Sequence, residues 1–341
     1  MLLDLYATRT IPIPALAVQP GTFGNIHTMK LAQGTLTIQL PDAPHHLASL
    51  ECLVDDPDHP DHTWKGVENV TLCANLDGQF SFNGTDGDFN SNKIFRSADL
   101  SRSFQLAESL LDDGFDLWKR TLRWTAVAPN IGIDELETPH SVTRGHGFKM
   151  FRKDDGALVR SHGGKATMHG LGKVSREAWK SAADALTAQQ APPVWFDFLH
   201  EAFRLMTVGN NRSAIVSAAI AAETVLRGSF RANLPIIDDQ IASRILDEVP
   251  AQKLLGKWED IVGVSKNEAK RHGRSAVHEL FDLRNTLMHE GLRDQDRLSQ
   301  IVKLLPKVTS FTLVADEYLT NITGLPRRIF PAPGVIERMT S

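Results

Sequence analysis

Cysteine is almost missing. Cys52 and Cys73 are the only two in 341 residues, too few for a disulfide framework and without the spacing of a zinc cluster, so both are expected to be reduced core residues. No apolar run is long enough to cross a bilayer, and the first residues lack the basic start and long apolar stretch of a secretory signal. A cytoplasmic chain with no membrane partner is the expectation. Nucleophile elbow, dinucleotide fingerprint and Walker motif are lacking too. Gly163-Gly164-Lys165 is not a phosphate loop, because Val159 stands where the first glycine belongs and Ala166 where Ser or Thr would bind magnesium. A general basic excess is also wanting: the net charge is −4.

What charge there is lies unevenly. Residues 1–140 hold 9 Lys and Arg against 19 Asp and Glu, whereas residues 141–193 hold 9 against 4. Residues 194–320 are nearly balanced, 16 against 17. An acidic first part repels a phosphate backbone, so any nucleic acid must meet the chain further on.

Residues 1–140 read as an acidic, β-rich domain, sandwich- or barrel-like. Gly34–Leu40 and Val67–Leu76 alternate apolar and polar, Asp77-Gly78 turns the chain toward Phe80 and Phe82, and the aromatic-rich run Asp116–Val127 adds a further strand. Two local patterns invite a metal. His45, His46, His59 and His62 lie among aspartates but match no named ligand spacing, which leaves a solvated acidic loop. Asp86-Gly87-Asp88-Phe89-Asn90 begins like a calcium loop, yet Ser97 occupies the position that needs a bidentate Glu. The domain is therefore expected to sense or dock a partner of unknown chemistry, with no metal assigned.

Residues 141–193 form a basic connector. Arg144, Lys149, Arg152, Lys153, Arg160 and Lys165 alternate with glycines, which suggests a hairpin with a basic face, and Ser175 caps a helix to about Leu186. Gln189-Gln190-Ala191-Pro192-Pro193 makes the domain boundary. From Val194 to about 320 the pattern is helical, and 321–341 is an extended tail rich in proline. Ile215–Phe230 is apolar nearly all round, as a central helix should be, and Glu223 is its single acid. The fold class is thus α+β and multidomain, with an all-α C-terminal bundle.

The run Leu283-Arg284-Asn285-Thr286-Leu287-Met288-His289-Glu290-Gly291 organises that bundle. Ser265 with Glu268 makes a capping box for a helix that Gly291 stops. At about 100° per residue, His278, Asp282, Asn285 and His289 share one arc, opposite Val277, Leu280, Phe281, Leu283, Leu287 and Met288. Arg284 lies inside the apolar arc and needs a carboxylate or a bound anion, and Glu223 is the expected partner. Lys266, Lys270, Arg271 and Arg274 lie toward the start of the same helix, as a solvated face or as contacts for an RNA backbone.

Arg284-Asn285-x-x-x-His289 resembles the R-N-x-x-x-H signature of HEPN domains, over about Val194–Asn321. The resemblance implies a helical bundle acting as an endoribonuclease in a defence or toxin-like role, with RNA as substrate, a 2′,3′-cyclic phosphate product, and neither metal nor cofactor. It implies His289 as general acid or base, Arg284 on the scissile phosphate and Asn285 in support. A polar or acidic residue of an early helix, here Glu223, faces the signature in such domains. Arg284 and His289 project about 140° apart, so one copy makes a poor site; family members dimerise to bring two copies together, and a homodimer is expected. Two other readings stay open: a non-catalytic HEPN dimerisation or nucleotide-binding module, and a carbohydrate- or peptide-binding β domain on an oligomerising bundle.

Overall fold

A computed structural model describes residues 2–43, 65–82, 98–126, 147–161, 172–232, 246, 248–262, 267, 272–291 and 294–323. The chain divides into two compact units, Met1–Ala191 and Pro192–Ser341.

In the first unit, β2 (Leu5–Val18) is the spine of a seven-stranded sheet. It pairs with β5 (Lys65–Leu76) along one side, and β4 (Gly34–Gln39) and β3 (Ile26–Leu31) follow outward, all antiparallel. On its other side β2 meets β7 (Lys149–Arg152) near its start and, in parallel, β9 (Gly172–Val174) near its end. Pro12 lies between those two partners, where β2 has only β5 beside it and a missing N–H costs no bond on the other side, and the β2–β5 register breaks between Pro12 and Leu16. The edge strand β8 (Leu158–Ser161) closes a hairpin with β7. A small separate ladder joins β1 (Leu2–Leu3) and β6 (Phe80–Ser81).

Among the described residues two helices cover one face of this sheet, a layered α+β arrangement where a sandwich or barrel was expected. The larger, α1 (Ala98–Thr125), takes in residues 116–125 of the run that reads locally as a strand. Its buried positions Leu100, Phe104, Ala107, Leu111, Phe115, Trp118 and Leu122 recur every three or four residues, a helical period that the twelve-residue window hides. Gly114 lets it close on the sheet, since a Cβ there would lie 2.3 Å from Leu36 Cδ2. The second, α2 (Arg176–Thr187), starts at Ser175, whose hydroxyl accepts from Ala178 N at 3.1 Å.

Where the helices meet the sheet, Trp118 donates its indole N–H to His27 Nδ1 at 2.9 Å. An indole can only donate, so Nε2 carries the imidazole proton and donates to Trp179 O at 3.0 Å. The His27 and Trp179 rings stack at 4.1 Å. Burial lowers the His27 pKa from 6.5 to about 4, against the opposing pull of the Trp179 carbonyl.

The hairpin and β9 also correct the idea of a basic connector over 141–193: its described strands are members of the sheet and α2 packs on β3, so they belong to the first unit. The His45–His62 and Asp86–Asn90 patterns lie outside the described residues.

The second unit is helical. It comprises α3 (Val194–Thr207), α4 (Asn211–Ala232), α5 (Ala251–Val262), α6 (Arg274–Glu290), the short α7 (Gln295–Ser299) and α8 (Ile301–Thr323). α4 touches all the others, and Ile215, Ala218, Ala222, Val225 and Leu226 are buried along it. Asp294 caps α7 through Asp296 N and Arg297 N, and α8 runs on through Pro306. Trp195 donates to the buried Asp316 at 2.9 Å, tying α3 to α8. No described helix is long and apolar enough to cross a membrane.

Candidate functional site

The signature lies on α6, and both ends of that helix are set by glycine. Gly291 closes it in the left-handed conformation at φ 63°. At the other end Gly273 is its N-cap at φ 90°, so the helix that carries the signature begins at Arg274 and not at Ser265. The reason is a close approach: a Cβ on Gly273 would lie 2.3 Å from the Lys307 carbonyl oxygen. Ser265 and Glu268 lie outside the described residues.

Along α6, Ala276, Val277, Leu280, Phe281 and Leu283 are buried, whereas His278, Asp282 and His289 are exposed. His278 Nδ1 and Asp282 Oδ2 pair at 3.0 Å on the solvent side. Arg284 continues the buried arc by angle, but it is only half-buried, and Met288 on the same arc is 61% exposed. The apolar face therefore outruns the core that covers it.

Arg284 is not paired with Glu223. Glu223 accepts instead from Arg227, one turn further along α4, at 2.9 Å from Nε. Arg227 also donates to the carbonyls of Leu246 and Val249, so the pair ties α4 to the chain ahead of Pro250. The signal for this was the Glu–Arg spacing of four on one helix face. Arg284 donates from Nη1 to Asn285 Oδ1 at 3.1 Å, and among the described residues no carboxylate pairs with it. The Asn285 oxygen is thus engaged by Arg284, which leaves its amide nitrogen as a donor. No described contact joins Arg284 to His289, in keeping with their angular separation on the helix.

Of the four basic residues expected near the start of the helix, Lys266, Lys270 and Arg271 lie outside the described residues. Arg274 is committed within the fold: its Nε lies 3.0 Å from Oε1 of the buried Glu259 and donates to Leu255 O at 3.4 Å. Arg274, expected on a solvated face or as a contact for an RNA backbone, thus has partners within the fold and remains partly exposed. Among the described residues, no group of His, Cys, Asp and Glu is arranged to hold a metal ion.

No family model, curated protein or solved structure matches the chain.

Proposed function

We propose that the helical unit is an endoribonuclease of the HEPN type, working without metal as a homodimer, and that the first unit docks its trigger in a cytoplasmic defence or toxin-like system. One observation carries the reading: Arg284 is a half-buried guanidinium with no carboxylate partner among the described residues, beside Asn285, which lies about one turn before an exposed His289. A fork of N–H donors left without an anion suits a phosphate.

In the proposed reaction the ribose 2′-oxygen attacks the adjacent phosphorus and the P–O5′ bond breaks, giving a 2′,3′-cyclic phosphate and a 5′-hydroxyl. His289 of one protomer takes the 2′-hydroxyl proton and the same residue of its partner gives one to the leaving O5′. Arg284 binds the non-bridging oxygens as charge builds on the phosphorane, and Asn285 orients the guanidinium. The separation of Arg284 and His289 around the helix is the reason a second copy is required.

The test is incubation of the purified chain with total RNA and with tRNA in EDTA, followed by end-group analysis. Fragments ending in cyclic phosphate, absent for His289→Ala and for Arg284→Ala proteins with unchanged circular dichroism, support the reading. Cleavage that persists in both variants refutes it. The non-catalytic alternative, a dimerisation or nucleotide-binding module, is favoured by the exposed apolar Met288 on its own; it expects dimers that cut no RNA with the trigger present.

A further inference from the structure

The helices α1 and α2 lie on one face of the sheet, and among the described residues of this unit no helix covers the other. Register places the residues of that face in rows. In one, Phe151 of β7 stands opposite Tyr6 of β2, which stands opposite Asn75 of β5, and Leu158 of β8 flanks Phe151. In the next, Lys149 stands opposite Thr8, and beyond it Thr10 stands opposite Thr71. Lys149, Thr10, Thr71 and Leu158 are exposed, and Tyr6 and Phe151 are half-buried. The Tyr6 and Phe151 rings stack at 5.2 Å with 20° between their planes.

Three features of this corner are unusual for the unit that contains it. Residues 1–191 hold 18 Lys and Arg against 23 Asp and Glu, yet none of these positions is a carboxylate. The strand that supplies Phe151 and Lys149 comes from the basic part of the chain. The run Lys149-Met150-Phe151-Arg152-Lys153 also interleaves cations with an aromatic ring. Its members are not equally available. Arg152 is held by Asp155 and Lys153 donates to Leu76 O at 3.1 Å, so Lys149 is the cation that faces outward beside the stacked rings.

Stacked aromatics on an open sheet, with hydroxyl and amide rows around them and a lysine at their side, are the chemistry that holds unstacked bases and their sugar-phosphate chain. A duplex keeps its bases stacked on each other and offers such rings nothing. We propose that the open sheet face around Tyr6, Phe151 and Lys149 docks extended single-stranded RNA, with a base extending the Tyr6–Phe151 stack and Lys149 on an adjoining phosphate. This deepens the ribonuclease reading by assigning a place for substrate outside the signature helix, and it rests on that reading for the choice of RNA.

The test uses the full-length His289→Ala chain, so that nothing is turned over, and a fluorescently labelled ten-nucleotide single-stranded RNA followed by anisotropy. Saturable binding is expected, weakened about tenfold by Phe151→Leu and by Tyr6→Leu, which keep apolar bulk and lose the stacking surface. Lys149→Glu should weaken it as much and flatten its salt dependence. Melting temperature and circular dichroism of each variant identify any that has simply failed to fold, and Thr71→Asp, an exposed change on the same face, then serves in its place. Absence of saturable binding overturns the proposal, as does binding that none of these variants alters, or equally tight binding of a duplex of the same length. The ribonuclease reading fails separately. RNA cut normally by an otherwise wild-type chain carrying Lys149→Glu and Phe151→Leu sinks the docking face alone, whereas RNA bound through this face but never cut sinks the nuclease alone.

Discussion

Glu223 and Arg227 hold each other across one turn of α4, with Arg227 Nε 2.9 Å from Glu223 Oε1 and Nη2 of the same arginine 3.2 Å from Val249 O. The arginine, not the acid, is the hub, because it alone reaches the carbonyls of Leu246 and Val249. Arg227→Met should therefore cost about 2 kcal/mol by leaving those acceptors unmet. Glu223→Gln, which removes only a partly exposed ion pair, should cost less than about 1 kcal/mol. Arg284→Met should cost less than about 1 kcal/mol as well, since among the described residues no carboxylate pairs with Arg284. Urea unfolding of the three variants ranks them. A loss for Arg284→Met in the range of about 3–5 kcal/mol would reveal a buried carboxylate partner.

The two glycines that bound α6 make a controlled comparison. Both have positive φ, 90° at Gly273 and 63° at Gly291, but only Gly273 faces a backbone atom where a Cβ would go. Gly291→Ala should cost about 1–2 kcal/mol, the ordinary penalty of a left-handed L-residue. Gly273→Ala carries that strain plus a clash with the Lys307 carbonyl, which cannot rotate aside as a side chain could. Its loss should exceed about 3 kcal/mol. Equal melting-point shifts for the two would mean that the Lys307 carbonyl gives way and that the approach of α8 to Gly273 does not require glycine.

How much of this was legible from the residues follows the range of each interaction. The helices α3, α4 and α6 show their burial in local periodicity, and β4 and β5 show theirs in alternation. The Asp116–Val127 run misleads because Trp118, Leu122 and Trp124 suit a strand over a short window; only with Leu100 to Phe115 included does the helical spacing emerge. Gly273 could not be read as a break, since what demands it is Lys307, more than thirty positions away. The pairing of β7 with β2 joins residues over a hundred positions apart, and neither strand announces the other. Within the site, Arg284, Asn285 and His289 stand out by spacing alone. Glu223 is met by Arg227, four positions along the same helix face, and not by the distant Arg284, because an i,i+4 pair needs no tertiary approach to form.

His27 makes the first unit sensitive to acid. Its folded pKa of about 4 lies below the ordinary 6.5, so between those values the unfolded chain takes up a proton that the folded one refuses. Stability from this group is whole above pH 6.5 and falls as the pH drops toward 4. At about 1.4 kcal/mol per unit of separation, the loss is on the order of 3 kcal/mol. Denaturant unfolding followed by tryptophan fluorescence should show it, because Trp118 and Trp179 both touch the imidazole. His27→Gln should be less stable at pH 7 and nearly indifferent to pH between 6.5 and 5. A wild-type stability that stays level over that interval would contradict a neutral buried imidazole.

Met288 tests the second copy that the proposed chemistry needs. It lies on the same angular arc as the buried Val277 and Phe281, yet it is 61% exposed, beside the half-buried Arg284 and Leu287. A lone chain gains nothing by leaving that much thioether in water. If two copies of α6 meet there, Met288→Asp buries opposed carboxylates at the contact and should turn a dimer into a monomer at micromolar concentration. The separated chain should lose less than about 0.5 kcal/mol in its own unfolding, as an exposed site allows. RNA cleavage should fall with the dimer and not with the fold, because each phosphate would lose one of its two histidines. Sedimentation and cleavage measured on the same preparation decide the matter. A Met288→Asp protein that still dimerises moves the contact elsewhere, and one that is monomeric but fully active removes the need for a partner.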